Sequence, residues 1–599
     1  MLSALSKDRA GNEFKYAYNP LGNLLSKTYP DGTTDKYTYD RISRMLSAVN
    51  KDASVTFTYD NANRLLSETL NGQTTSYSYD VAAGKRTLTY PSGMKVEEHL
   101  NARDLIASIL QNGNEVITME YNVAAQKTKQ TYANGITTDY GYNENGWLSA
   151  IKDDHKVLDL AMTYDAVGNM TKRADNLDAS RTESYGYDAI SQFTSFTRGK
   201  TVNKTYQFDL LGNRVKTVEN GVVTNYTSNN MNAYTAISGG MSFTPSYDGN
   251  GNMLNDDKHQ YEYDYNSKMA SVGDKSVTYK YDALDRRIAK NNTLFYYVGD
   301  QMVEESTDGT VTSYLYGNNM DEALQMSRKD EAYYYHTNHL GSTVGLSDAK
   351  GKVVERVEYD VYGLPTFMDA DGKVLESSAV GNNILFTGRE YEAEMGNYFF
   401  RARSMHPMLG RFMQKDPLLY VDGMNLISYV NNNPINWIDL DGTDDFNARD
   451  IYNKYMRQQN AVKNYPNSSS LSKSPSHTNY PKLGDLGIYN KPSHNPTYNP
   501  KLDKPFGQNV SKEYANKMAK QTGKKVEKQV AKQVGKQAVK GNPVGKYAEG
   551  AIVGIGAAIG AGYIAWKYDG NFGELYKDIV GGYIDDEYGW MLPNDTCEP

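Results

Sequence analysis

Few side chains in this sequence have the types and spacing of a familiar catalytic or metal site. His336 and His339 stand three residues apart and could bind a metal ion together, but no obvious third ligand accompanies them. Cys597 is the single cysteine among 599 residues, which excludes an intramolecular disulfide framework and a cysteine-based zinc site. We therefore expect no metal or other cofactor, and a structural role for both histidines.

Carboxylates in turns are the other candidates for chemistry. Asp416 precedes Pro417, and Asp439 stands three residues before Gly442. Two carboxyl groups that lie close together can share one proton and act as an acid and a base. An aspartate close to proline or glycine also often caps a turn, so the residues alone leave both roles open.

The elements that would position these residues come from a repeated motif. An aromatic residue, any residue, a second aromatic residue and then Asp or Asn recur along the chain, often with Gly three residues later. Aromatics two apart share one face of a strand, Asp or Asn can bond the backbone of a turn, and Gly allows a positive φ. Each copy therefore predicts a β-hairpin. Examples are Tyr16-Ala17-Tyr18-Asn19, Tyr37-Thr38-Tyr39-Asp40, Tyr140-Gly141-Tyr142-Asn143 and Tyr279-Lys280-Tyr281-Asp282.

The composition supports a chain built mainly from such hairpins. There are 51 Tyr and 51 Gly against 15 Phe and 18 Pro, a balance that suits half-buried strands and tight turns. A lone hairpin cannot bury its aromatic face, so a series must pair edge to edge into one twisted sheet. The predicted fold class is mainly β, a class that includes solenoids and propellers. The net charge of −8 gives no broad nucleic-acid signature.

Later segments carry a more specific signal than the periodicity. They are Tyr333-Tyr334-Tyr335-His336-Thr337-Asn338-His339-Leu340-Gly341-Ser342, Gly388-Arg389-Glu390-Tyr391, Arg401-Ala402-Arg403 and Asn431-Asn432-Asn433-Pro434. With the aromatic repeats, they resemble the Rhs/YD-repeat family and its Rhs-associated core domain. The resemblance implies a spiralling, hollow β-shell over residues 1–330, closed by a core over residues 331–442.

The resemblance also implies an intramolecular aspartyl-type autoprotease. Asp416 and Asp439 fall at the positions of the family's carboxylate pair, and Arg403 falls at the position of its partner arginine. Leu440 stands where relatives usually carry proline, Leu419 stands where they usually carry glycine, and Ser404-Met405-His406 replaces Tyr-Tyr-Asp. Both aspartates and the arginine are retained, so we expect cleavage between residues 442 and 450. Because of the three departures, we expect the cleaved segment to be held less firmly than in relatives.

The tail after Gly442 contains no further repeat motif. Residues 443–510 predict a linker that includes His477 and His494, and residues 511–540 predict a basic amphipathic helix. Residues 550–566 carry no charge and have small residues four positions apart. Such a segment could insert into a membrane or be stored inside the shell. Residues 511–599 are thus predicted to be the variable, partly helical effector, with no deaminase, phosphate-loop or nuclease motif in them.

With the tail, the resemblance predicts a bacterial toxin shell that encloses its own C-terminal segment and releases it by autoproteolysis. The released segment would act against competing cells. The resemblance implies an immunity protein and secretion or delivery components as partners, and a secreted or surface location, although no Sec-type signal peptide is visible. Two alternatives remain. The chain could be a surface adhesion protein with a C-terminal anchor, or its tail could be an enzyme such as a nuclease. It could also be a fragment of a longer protein.

Overall fold

The computed structural model describes residues 2–273, 275–420 and 423–448 of the chain. Within those residues, 44 β-strands are accompanied by three short 3-10 helices, Ala179–Arg181, Phe386–Gly388 and Val430–Asn432. No helix in this part is long and apolar enough to cross a membrane. The predicted linker beyond residue 448, the basic helix, residues 550–566 and Cys597 lie outside the described residues.

The first and longest sheet contains 23 strands. They are β1 (Leu2–Lys7), β2 (Glu13–Tyr18), β3 (Leu24–Thr28), β4 (Thr34–Tyr39), β5 (Met45–Val49), β6 (Ser54–Tyr59), β7 (Leu65–Leu70), β8 (Gln73–Asp80), β9 (Lys85–Thr89), β10 (Lys95–Leu100), β11 (Ile106–Gln111), β12 (Asn114–Tyr121), β13 (Lys127–Tyr132), β14 (Thr137–Tyr142), β15 (Leu148–Asp153), β16 (Asp159–Tyr164), β17 (Met170–Asp175), β18 (Glu183–Tyr187), β19 (Phe193–Arg198), β20 (Val202–Phe208), β21 (Arg214–Glu219), β22 (Val222–Ser228) and β23 (Tyr234–Gly239).

A two-stranded hairpin leads into a second long sheet of 13 strands. The hairpin is β24 (Ser246–Tyr247) and β25 (Met253–Asn255). The second sheet is β26 (Tyr261–Tyr263), β27 (Met269–Val272), β28 (Val277–Tyr281), β29 (Arg287–Lys290), β30 (Thr293–Val298), β31 (Gln301–Thr307), β32 (Thr310–Tyr316), β33 (Ala323–Arg328), β34 (Glu331–Thr337), β35 (Thr343–Ser347), β36 (Val353–Tyr359), β37 (Pro365–Met368) and β38 (Val374–Leu375).

Two small sheets follow and carry the candidate site. The first is β39 (Glu390–Glu392), β40 (Asn397–Phe400), β41 (Arg403–His406) and β42 (Arg411–Phe412), and the second is the hairpin of β43 (Trp437–Asp439) with β44 (Asp445–Asn447). The sheet of 13 strands is continuous across residue 330. The predicted domain boundaries at residues 330, 442 and 510 stay predictions.

Each repeat forms the predicted hairpin, and its turn follows one local rule. The Asp40 carboxylate accepts hydrogen bonds from the backbone N–H groups of Ile42 and Arg44, at 3.0 and 2.9 Å. In most repeats the residue three positions after the Asp or Asn takes a positive φ, as at Gly22 (+81°) and Ser43 (+67°). The register of most repeats also shifts at the second aromatic residue, for example between Thr38 and Tyr39, which is a β-bulge. The repeat that ends at Asp80 differs, since its strands pair without a shift and its positive φ falls at Gly84.

Tyrosine hydroxyl groups connect several repeats to the one before. The Tyr59 hydroxyl donates to the carbonyl oxygen of Met45 at 2.9 Å, and the Tyr79 hydroxyl donates to that of Leu65 at 2.9 Å. The same contact recurs at Tyr121, Tyr142, Tyr164 and Tyr187. A phenylalanine could not form this bond, which gives a physical reason for the excess of Tyr over Phe.

The second sheet runs alongside the first in the same direction. The Tyr37 hydroxyl donates to the carbonyl of Ala283 at 2.8 Å, and the Tyr90 hydroxyl donates to that of Tyr314 at 3.1 Å. Further along, the Arg198 guanidinium reaches the carbonyl of Tyr359. The residue numbers of the contacting pairs increase together along both sheets, as expected for successive laps of a spiral. In a sheet folded back on itself, residue numbers would increase on one side of the contact and decrease on the other.

Buried side chains join the laps to the later segments. One apolar cluster unites strands β15 to β20 with residues 340–440, including Phe193, Tyr362, Phe400 and Tyr429, each at most 1% exposed. The predicted fold class, a mainly β, spiralling array of antiparallel hairpins, is confirmed. The core residues 390–440 therefore rest on the wall formed by the repeats.

Candidate active site

Asp439 ends strand β43 and begins the turn that joins it to β44. One carboxylate oxygen, Oδ1, accepts hydrogen bonds from the backbone N–H groups of Asp441, Gly442 and Thr443 at 3.2, 2.7 and 3.2 Å. Gly442 has a φ of +78°, so the turn matches the rule of the repeats. The predicted role of a turn cap therefore applies to Asp439, and only one of its oxygens is used for it.

The other carboxylate oxygen of Asp439 faces Arg403. Nη2 of Arg403 lies 3.1 Å from Oδ2 of Asp439 and 3.0 Å from Oδ2 of Asp416. All three side chains are buried, with residue exposures of 4% for Arg403, 6% for Asp416 and 0% for Asp439. The structure thus brings together the three residues singled out in the sequence, which are 36 positions apart at most.

Arg403 and Asp416 are each fixed by further contacts. The Arg403 guanidinium stacks on the Phe412 ring, 3.6 Å from its centroid, and Nη1 donates to the carbonyl of Leu426 at 3.1 Å. Oδ1 of Asp416 accepts from the backbone N–H of Leu418 at 2.7 Å. Because Arg403 and Asp416 each have further partners, the positions of both side chains are fixed, and the two carboxylates contact the same guanidinium.

The surroundings change the acidity of Asp439. Burial raises its pKa most, Arg403 lowers it, Asp441 raises it, and the backbone N–H groups of the turn lower it. The result is a pKa of about 7. A pKa raised this far suits a carboxyl group that gives or takes a proton near neutral pH.

The segment after Asp439 is held more firmly than its sequence predicts. Leu440 replaces the usual proline of the resemblance, yet its side chain is 8% exposed and belongs to the large apolar cluster. Its carbonyl oxygen accepts a hydrogen bond from Arg401. Leu419, which replaces a usual glycine, is 58% exposed and takes a φ of +60° that glycine adopts more easily.

The two histidines near residue 336 have separate partners. Nε2 of His336 lies 2.8 Å from Oγ of Ser347, and its ring packs edge-on against Tyr132. Nε2 of His339 donates to the carbonyl of Ile435 at 3.1 Å. Burial lowers the pKa of both to about 3. Among the described residues, no group of three or more His, Cys, Asp or Glu side chains could hold a metal ion.

Sequence reasoning missed a second charged cluster beside the carboxylate pair. Asp321, which is 3% exposed, binds Arg389 at 2.7 Å and Arg401 at 2.6 Å. Arg401 could have been noticed because it stands two residues before Arg403. Asp321 carried no such signal, since it is 80 positions from Arg401 and belongs to no repeat motif.

Comparison with known proteins places the fold in a defined group. The family model of the Teneurin YD-shell matches residues 141–435, and that of the RHS repeat matches residues 18–55. The tRNA3(Ser)-specific nuclease WapA of Bacillus spizizenii is 33% identical over 277 residues, which are 43% of this chain and 12% of that protein. Toxin subunit YenC1 of Yersinia entomophaga is 25% identical over 424 residues, 56% of this chain and 43% of that protein.

Solved structures agree with the sequence comparisons. The crystal structure of TcdB2-TccC3-Cdc42 matches with a TM-score of 0.60 and 18% identity, and the match covers 76% of this chain and 28% of that one. The Photorhabdus luminescens Tc holotoxin pore that carries the mutation TccC3-D651A matches with a TM-score of 0.57 and 17% identity, over 72% of this chain and 27% of that one. The chain spans less than half the length of these relatives.

Proposed function

Because this chain belongs to the Rhs/YD-repeat family, we propose that it is a toxin shell that encloses the segment after residue 448 and releases it by cutting its own backbone. The similarity to a toxin subunit and to a tRNA nuclease that share its repeats supports the shell role. The observation that carries the cleavage is the meeting of Asp416 and Asp439 at Arg403, with Asp439 three residues before Gly442.

The proposed reaction is hydrolysis of one peptide bond between residues 442 and 450. Asp416, as a carboxylate, takes a proton from a water molecule whose oxygen bonds to the carbonyl carbon. Asp439, as the acid, gives its proton to the leaving nitrogen as the C–N bond breaks. The products are a new carboxyl group and a new amine, and the raised pKa of Asp439 supports its role as the acid.

Arg403 supports this division of roles between two close carboxyl groups. The Oδ2 atoms of both aspartates lie within 3.1 Å of the same nitrogen atom of Arg403, so two negative charges there would repel each other and one shared proton is favoured. The guanidinium of Arg403 stabilises the member that is ionised, since it contacts both. The stacking on Phe412 keeps the guanidinium in place during the transfer of the proton.

The test is the intact mass of the full chain and of its variants after purification. We expect the wild-type chain to yield two fragments with a junction between residues 442 and 450. Asp439→Asn and Asp416→Asn should each yield one uncut chain. Asparagine at position 439 still offers an oxygen to the turn, so this variant removes the acid and keeps the cap.

The matched control is Asp360→Asn in a repeat turn. Asp360 accepts from the backbone N–H groups of Tyr362 and Leu364, at 3.0 and 2.8 Å, in the same way as Asp439. We expect this variant to be cut like the wild type. Equal cutting of the wild type and Asp439→Asn, or no cutting in any of the four chains, refutes the proposed cleavage.

The released segment is proposed to act on competing bacterial cells, with an immunity protein and delivery components as partners. Two classes of action are open to it, membrane insertion through residues 550–566 and catalysis of the kind that nuclease relatives perform. Adding the fragment released by the wild-type protein to anionic liposomes and, separately, to tRNA and plasmid DNA distinguishes them. Dye leakage supports the first class, and strand cleavage supports the second.

A further inference from the structure

The turn after Asp439 rests against the turn that precedes strand β41. The guanidinium of Arg401 donates to the carbonyl of Leu440, and the backbone N–H of Ala402 donates to the carbonyl of Asp441 at 2.9 Å. Gly442 approaches so closely that a Cβ atom there would lie 2.3 Å from the carbonyl oxygen of Phe400. Three consecutive residues, 440 to 442, are therefore fixed by residues 400 to 402.

Arg401 is itself anchored outside these two turns. Its Nη2 lies 2.6 Å from Oδ1 of Asp321 and its Nη1 lies 2.9 Å from Oδ2, a bidentate pair, while Nε donates to the carbonyl of Asp300 at 3.0 Å. Burial alone would raise the pKa of Asp321, but Arg389 and Arg401 hold it below its usual value. The side chain of Arg401 thus ties the turn after Asp439 to the second lap of the spiral.

Arg401 and Arg403 divide two tasks between them. Arg403 contacts the carboxylates of Asp416 and Asp439, and Arg401 contacts the peptide group between Leu440 and Asp441. Hydrolysis requires the carbonyl carbon to lie within reach of the activated water molecule, and a small displacement costs a large part of the rate. A bond to the Leu440 carbonyl limits such displacement at the second peptide group after Asp439.

We propose that Arg401 is a positioning residue for the cleavage: anchored by Asp321, it fixes the turn 440–442, where Leu440 restricts the backbone less than a proline would. This inference rests on the proposed function. Arg401 touches neither carboxylate of the pair in any contact described above, so its effect is on the placement of the backbone and not on the acid.

The experiment is a time course of fragment formation during cell-free synthesis of the full chain. Arg401→Lys keeps the charge, but one ammonium group cannot contact both oxygens of Asp321 and the Leu440 carbonyl. We expect cleavage in this variant to be at least tenfold slower than in the wild type. Arg389→Lys is the matched control, since Arg389 binds the same Asp321 but donates to the carbonyl of Phe399 and not to Leu440.

A rescue variant separates positioning from general damage to the fold. Proline at position 440 restricts the backbone without any arginine, so Arg401→Lys with Leu440→Pro should regain at least half of the lost rate. Resistance of the shell to trypsin is measured on the same samples to report folding. Equal slowing by Arg401→Lys and Arg389→Lys, or no rescue by proline, overturns the inference.

The two proposals fail in different ways. A wild-type chain that stays uncut removes the proposed function, and this inference with it. A wild-type chain that is cut, beside an Arg401→Lys variant that is cut at the same rate, removes only the role of Arg401.

Discussion

The turn of Asp360 and the turn of Asp439 are built by the same local rule. In both, one carboxylate oxygen accepts backbone N–H groups, and the residue three positions later is a glycine with positive φ, +91° at Gly363 and +78° at Gly442. Asp360 is only half-buried, whereas Asp439 is fully buried and shares Arg403 with Asp416. The same turn motif therefore occurs in the repeats and in the site, and only the surroundings of Asp439 raise the pKa of that copy.

Removal of the carboxyl group should give the largest difference in stability between the two turns. We expect Asp439→Ala to lower the free energy of unfolding by about 3–5 kcal/mol, because it leaves Arg403 and three turn N–H groups with one partner fewer in a buried site. Asp360→Ala should cost about 1 kcal/mol, the usual value for a lost turn hydrogen bond. Urea unfolding followed by tyrosine fluorescence measures both, and equal losses would show that burial does not distinguish the turns.

Substitution of the turn glycine should also cost more stability in the site turn than in a repeat turn. Gly22→Ala, in a repeat turn with open space around it, should cost about 1–2 kcal/mol for the positive φ alone. Gly442→Ala adds a clash with the Phe400 carbonyl oxygen and should cost about 3 kcal/mol. The same urea experiment applies, and a smaller loss at Gly442 than at Gly22 contradicts the close packing of the site turn.

The acidity of Asp439 predicts a dependence on pH that the repeat turn lacks. Since the cleavage needs the acid form, its rate should fall about tenfold per pH unit above a pH of about 7. A raised pKa in the folded state also means that the contribution of Asp439 to stability is present below its usual value of 3.8 and is lost as pH rises toward about 7.

Two measurements check the dependence on pH. The rate of fragment formation is measured at intervals of about one pH unit from about pH 6 to about pH 9, the range in which a group with a pKa of about 7 titrates. The difference in stability between wild type and Asp439→Asn is followed from about pH 4 to 7. Asp360→Asn should leave both curves unchanged in shape, and a cleavage rate that rises with pH would assign the acid to another group.

The smallest expected effect concerns the tyrosines that link the repeats. Tyr142→Phe removes the hydrogen bond to the carbonyl of Lys127, 2.8 Å long, and should cost about 1 kcal/mol. Phe208, which already ends a repeat without a hydroxyl group, provides the comparison. Thermal unfolding should show a lower midpoint for Tyr142→Phe, and no change would indicate that the aromatic face alone holds the repeats together.

The local features of this protein could be predicted from sequence, and the contacts between laps could not. Asp40 and Ser43 form their turn through neighbours within four residues, so spacing and residue type suffice. The pairing of Asp416 with Asp439 and the place of Arg403 beside them were inferred only through the family resemblance. The contact of Arg401 with Asp321 joins residues 80 positions apart, a separation that no local spacing or repeat motif encodes.

Leu440 shows the limit of reasoning from a single substitution. The loss of a proline predicts a looser backbone, because proline restricts φ without help from its neighbours. In the folded chain, the Leu440 side chain joins the apolar cluster and its carbonyl binds Arg401. Tertiary contacts therefore supply the restraint that the residue type no longer provides.

The strictly sequential pairing of the 23 strands has a consequence for how such a wall is made. Each strand finds its partner in the segment synthesised just before it, so the wall can grow hairpin by hairpin as the chain leaves the ribosome. Gain or loss of one complete hairpin pair leaves every other pairing along the ribbon intact. The length of the wall is thus free to change in evolution by whole repeats, while the closing residues around Asp439 must keep their place on whichever lap they meet.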